Sequence, residues 1–212
     1  MLRKILDGVS AGLMISIGCA VYLACEVKFV GAIFFAVALL TICFKGYSLF
    51  TGKVGYMIEK HGKEQWSVLL LGLLGNAIAT CLFGYVLGLA IPSLTQSAVV
   101  LFDAKMTQEL YQTFIRAIFC GVLMYVAVSI YRDNKSLSGI FFAVPVFILS
   151  GFEHSIANMC YFAISHVASF DAFIYIIVVI LGNALGGILL PLLSLNKSKE
   201  KKENKEQEKI ND

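Results

Sequence analysis

Six times along its 212 residues the chain runs apolar for long enough to cross a bilayer. A hydrocarbon core of about 30 Å needs roughly 20 such residues per helix. The runs cover residues 9–25, 29–50, 67–91, 110–131, 137–167 and 172–195. In lipid every backbone N–H and C=O must be satisfied within the protein, so runs of this kind predict membrane-spanning helices. Composition agrees. The chain is 58% hydrophobic and 15% charged, and its charge is concentrated after Asn196. Soluble domains carry about 25% charged residues. A water-soluble enzyme, a disordered chain and a nucleic-acid binder are all disfavoured, because residues 1–195 lack the charge to solvate such a surface.

Lysine and arginine set the expected orientation. Arg3, Lys4, Lys53, Lys60, Lys63, Arg132, Lys135 and the six lysines beyond Asn196 flank one side, while Lys28 and Lys105 flank the other. The positive-inside rule then puts both termini in the cytoplasm, with residues 1–195 forming the membrane domain and 196–212 a charged cytoplasmic tail. No small-residue cleavage site follows the first run, which reads as a span and not as a removable signal. Six cysteines show no CxxC and no metal-ligand spacing, so they read as small apolar residues. His61, His154 and His166 share no motif with a nucleophile or metal partner, and no nucleotide-binding loop is present. Neither an enzyme nor a cofactor is expected.

Two runs are abnormal. The second meets Lys45-Gly46-Tyr47-Ser48 and then Leu49-Phe50-Thr51-Gly52. The fifth is too long for one span and is cut by Ser150-Gly151-Phe152-Glu153-His154-Ser155. A carboxylate and an imidazole at mid-span are costly unless they face a cavity or a partner. Leu74-Gly75-Asn76-Ala77 recurs as Leu181-Gly182-Asn183-Ala184, and the interrupted runs hold equivalent places in two three-span halves. Three is odd, so the halves would be inverted relative to each other. Paired interrupted spans in an inverted repeat point to a transport site near the midplane.

Gly151-Phe152-Glu153-His154-Ser155-Ile156-Ala157-Asn158-Met159 resembles the fifth-span signature of the formate/nitrite transporter family, and Leu49-Phe50-Thr51-Gly52 resembles that family's second-span loop. Gly75-Asn76, Gly182-Asn183 and the segment from Asp7 to Gly18 are similar as well. The resemblance implies an all-α, aquaporin-like fold of six helices in two inverted repeats, with helices two and five interrupted. It implies a homopentamer in the bacterial cytoplasmic membrane, one pore per protomer, passing small monovalent weak-acid anions such as formate, nitrite or hydrosulfide. By the same resemblance His154 stands mid-pore between constrictions at Phe50 and Phe147, with Thr51 and Asn158 hydrogen-bonding near it. An imidazole there can lend or stabilise a proton during the crossing. Glu153 is expected to orient the broken loop through backbone N–H groups, and Asn76 and Asn183 to bond between helices.

One region departs from the family pattern. Aligned on Gly121, the outer-vestibule lysine of the family falls at Glu109, its acid at Arg116 and its asparagine at Tyr125. A vestibule glutamate would collect cations by the field that a lysine uses for anions. A channel for small cations or weak bases of the ammonium type is therefore the alternative reading. Lys105, one turn earlier, could replace the missing lysine, and Glu109 could simply suit a helix N-terminus. A non-conducting protein that kept the scaffold is a third reading.

Overall fold

The computed structural model describes residues 1–59 and 61–194 with their side chains, and the backbone of 195–211. The chain is helical along nearly all of this length. In order it forms α1 (Leu2–Ala24), α2 (Lys28–Lys45), α3 (Phe50–Lys53) leading into a 3-10 turn at Val54–Met57, α4 (Lys63–Ala90), α5 (Pro92–Met106), α6 (Leu110–Asn134), α7 (Ser138–Leu149), α8 (Ser155–Ser165) and α9 (Phe170–Asn211). Among the described residues, five helices are long and apolar enough to cross a bilayer: α1, α2, α4, α6 and the Phe170–Ser194 part of α9. The shorter apolar helices α7 and α8 stand where the sequence predicts one long fifth run.

The outer surface is inverted relative to a soluble protein. On α4, Leu70, Leu74, Ile78 and Leu82 are exposed at intervals of four, while Gly72, Gly75, Asn76 and Ala79 are buried. A broad apolar stripe facing outward suits lipid or a neighbouring subunit, not water. The buried face is made of small residues because lipid-exposed helices associate by close backbone approach. A Cβ on Gly12 of α1 would come within 2.7 Å of the Ala79 Cβ on α4, and one on Gly182 of α9 within 2.6 Å of the Ala117 Cβ on α6. Thus α1 lies along α4, and α6 lies along α9.

Each of these pairs carries an asparagine that ties a helix break to the scaffold. Asn76 Nδ2 donates to the Gly8 and Ser48 carbonyls, both at 2.8 Å, and Asn76 Oδ1 accepts the Phe50 N–H at 3.0 Å. Asn183 Nδ2 donates to the Ala117 and Glu153 carbonyls, both at 2.8 Å, and Asn183 Oδ1 accepts the Ser155 N–H at 2.8 Å. Both side chains are fully buried. An interruption leaves orphan carbonyl and N–H groups that lipid cannot satisfy. One amide side chain serves both flanks of each interruption, and it bonds the neighbouring helix as well.

The breaks have local causes too. α2 stops at Lys45 because Gly46 takes φ 71°, a left-handed conformation that glycine adopts without steric cost. α7 stops at Leu149, Gly151 takes φ 68°, and the chain restarts as α8 with His154 as the N-cap. The one helix the sequence reading missed is α5. Pro92 sits in its first turn, and it buries Leu94, Ala98, Phe102 and Lys105, a helical stripe, partly against α8.

Candidate functional site

The two interruptions meet. Thr51, on α3, and His154, at the start of α8, are joined by a 2.9 Å hydrogen bond between Thr51 Oγ1 and His154 Nε2. Thr51 is fully buried and His154 is 3% exposed. The Nδ1 atom of His154 accepts the Ala157 N–H at 3.1 Å. A backbone N–H can only donate, so the neutral ring carries its proton on Nε2 and donates it to Thr51. A second proton, on Nδ1, would face the Ala157 N–H.

Aromatic rings close this region. Phe147 stacks on the His154 ring with centroids 5.6 Å apart and meets Phe35 edge-on at 6.3 Å. Phe147 and Phe50 are both buried. A cavity of about 160 Å³ reaches His154 and Phe147 from one side, lined also by Lys105, Arg116 and Asn158. A second cavity, of about 440 Å³, is lined by Leu49, Gly52 and Lys53 among others. Phe50 and Thr51 line neither cavity. Phe50 and Thr51 are buried and fall in the chain between Leu49 and Gly52 of the larger cavity, while His154 and Phe147 form part of the wall of the smaller one.

The carboxylate of Glu153 is held by side chains rather than by loop N–H groups. Lys105 Nζ forms an ion pair with Oε2, Asn158 donates to the same oxygen at 2.8 Å, and Gln108 donates to Oε1 at 3.3 Å. Glu153 is 1% exposed and Lys105 9%, so each charge depends on the other for compensation. The Asn158 side chain therefore bonds Glu153, the neighbour of His154, while the Asn158 backbone N–H donates to the His154 carbonyl at 2.9 Å. Helix α5 carries Lys105 to this position, and without that helix the lysine would read as a loop residue.

Glu109 does not line the smaller cavity. It is exposed at the N-cap of α6, where it forms a capping box with Gln112. Arg116, two turns along α6, does line the cavity, and its carbonyl accepts the Glu153 N–H at 3.4 Å. The alignment on Gly121 thus set Glu109 where a cavity charge was expected, whereas the lysine of the cavity comes from α5. Among the described residues no group of three or more His, Cys, Asp or Glu could hold a metal.

The family model described as formate/nitrite transporter matches residues 1–195. The chain belongs to this family. Among its relatives is the uncharacterized transporter YwcJ of Bacillus subtilis, 31% identical over 180 residues, covering 75% of this chain and 70% of that protein. The formate channel FocA of Escherichia coli is 30% identical over 176 residues, covering 71% of this chain but only 62% of FocA. Among solved structures, a pentameric formate channel with formate bound superposes with a TM-score of 0.73 over 91% of this chain and 94% of that one, at 24% identity. At that identity the likeness is one of fold.

Proposed function

We propose that this protein is a membrane pore for small monovalent weak-acid anions of the formate and nitrite kind. The observation that carries the reading is the buried Thr51–His154 hydrogen bond, which joins the two helix breaks; we read Phe50, Thr51, His154 and Phe147 as a septum between the two cavities. A naked anion entering such a septum loses its hydration at a cost of several kcal/mol even after protein relaxation. The neutral acid does not meet that barrier. Proton exchange within the septum, between the anion and a group such as His154, is how the crossing becomes affordable, with Phe50 and Phe147 excluding water. The Lys105–Glu153–Asn158 network fixes the α7–α8 break from the outer side.

The proposed architecture is six spans in two inverted three-helix halves, with α7 and α8 together as the fifth. The matching asparagine ties support it, since Asn76 and Asn183 bond equivalent atoms of the two breaks. Five copies assemble, one pore each; the structurally similar formate channel is pentameric. Residues 1–195 form the channel domain and 196–212 the tail, with both ends at the cytoplasmic face of a bacterial membrane. Cation selectivity rested on Glu109, and that side chain caps a helix at the surface, so the anion reading is preferred.

Proteoliposome flux of formate, nitrite, hydrosulfide and methylammonium, measured with and without a pH gradient, tests the reading. The parent passes the acids and not methylammonium, and His154→Asn removes the pH dependence of uptake. Selective methylammonium flux, or an unchanged pH dependence in the variant, refutes the corresponding part.

A further inference from the structure

The larger cavity contains a lysine that the septum mechanism does not use. Charged groups along this cavity are Lys53, Glu64, Arg132 and Lys135. Glu64 is already paired with Lys4 at 2.8 Å, and Arg132 with Glu59 at 3.5 Å while lying over the Tyr56 ring at 4.2 Å. Lys135 is exposed near the Tyr131 ring. Lys53 is half-buried, and among the described residues no carboxylate lies within ion-pair distance of it. Its Nζ donates to the Ser48 hydroxyl at 2.9 Å.

We propose that Lys53 is a binding subsite for a small monoanion on the side of the septum that faces the larger cavity. The proposal deepens the channel reading and rests on it. An ammonium has three N–H donors, and Ser48 occupies one. Asp7 attracts this ammonium but stays beyond ion-pair distance, and a partly desolvated cation without a direct counter-charge is stabilised by an anion that enters its cavity. The two breaks make the contrast. Lys53 reaches back five residues to Ser48, and Asn158 reaches back five residues to Glu153 at 2.8 Å. In the second break the acid at the earlier position neutralises Lys105. In the first break the earlier position is a serine, which cannot neutralise, and Asp7 offsets the charge only from beyond ion-pair distance, so Lys53 keeps donors free for an anion. Lys53 is two residues beyond Thr51, so an anion held there is one short step from the septum.

Formate current across planar bilayers, with formate on one side only and ionic strength fixed, tests this. With formate on the Lys53 side, Lys53→Gln raises the half-saturating concentration about fivefold, as loss of a collecting charge in a low-dielectric cavity requires. From the other side it changes less than about twofold by the same reasoning. Lys53→Arg, eluting as the same oligomer, keeps the parental value and separates lost charge from misfolding. An unshifted Lys53→Gln in a conducting protein, or an equal shift from both sides, overturns the subsite alone. A parent that folds yet carries neither formate nor nitrite overturns the channel reading and the subsite with it.

Discussion

Three residues from three elements hold one buried charge cluster: Lys105 on α5, Glu153 in the α7–α8 break and Asn158 on α8. Removing one partner of a buried ion pair leaves the other uncompensated, which costs about 3–5 kcal/mol. Glu153→Gln and Lys105→Met are each expected to lower the unfolding temperature in detergent strongly. The double variant is expected to recover much of the loss, because no orphan charge remains. Additive losses in this double-mutant cycle would show that the pair is not coupled. Little of this cluster was legible beforehand. Glu153 and Asn158 stand out from their motif and Lys105 stands out as a possible vestibule charge, but nothing in the sequence pairs Lys105 with Glu153, whose partners are expected among backbone N–H groups. Sequence spacing is measured along one helix, whereas Lys105 and Glu153 are 48 residues apart and meet through packing.

Breaks in helices are set by one residue's backbone and held by another's side chain. Gly46 takes φ 71°, and no neighbouring atom lies within 4 Å of where its Cβ would be. A Gly46→Ala substitution therefore isolates conformational strain from steric clash. It is expected to destabilise the protein by about 1 kcal/mol, the cost of a left-handed non-glycine residue. Chemical unfolding in detergent micelles measures this, and a change near zero would mean that α2 terminates for another reason. The positions of both breaks were readable because glycine and polar residues interrupt otherwise apolar runs. Helix α5 was not readable by that criterion, since its mixed composition falls below the span threshold. Its buried stripe at 94, 98, 102 and 105 has helical spacing and could have revealed it.

Exposed leucines, isoleucines and phenylalanines over most of the helical surface suit lipid or a neighbouring subunit rather than water. Native mass spectrometry of the detergent-solubilised protein is expected to give five copies per particle. A monomer retaining full anion flux would remove the assembly from the function. At this scale the membrane class and the positive charge on one set of loops follow from composition and count, because hydropathy and charge act locally and sum along the chain. The tertiary structure decided what those properties cannot specify. It brought Thr51 against His154, delivered Lys105 to Glu153, and left Lys53 beside an open cavity with a serine for company. Such pairings depend on how closely glycine-lined helices approach, and approach distance is a property of two surfaces at once. One strand of sequence, read in order, describes each surface and not the fit between them.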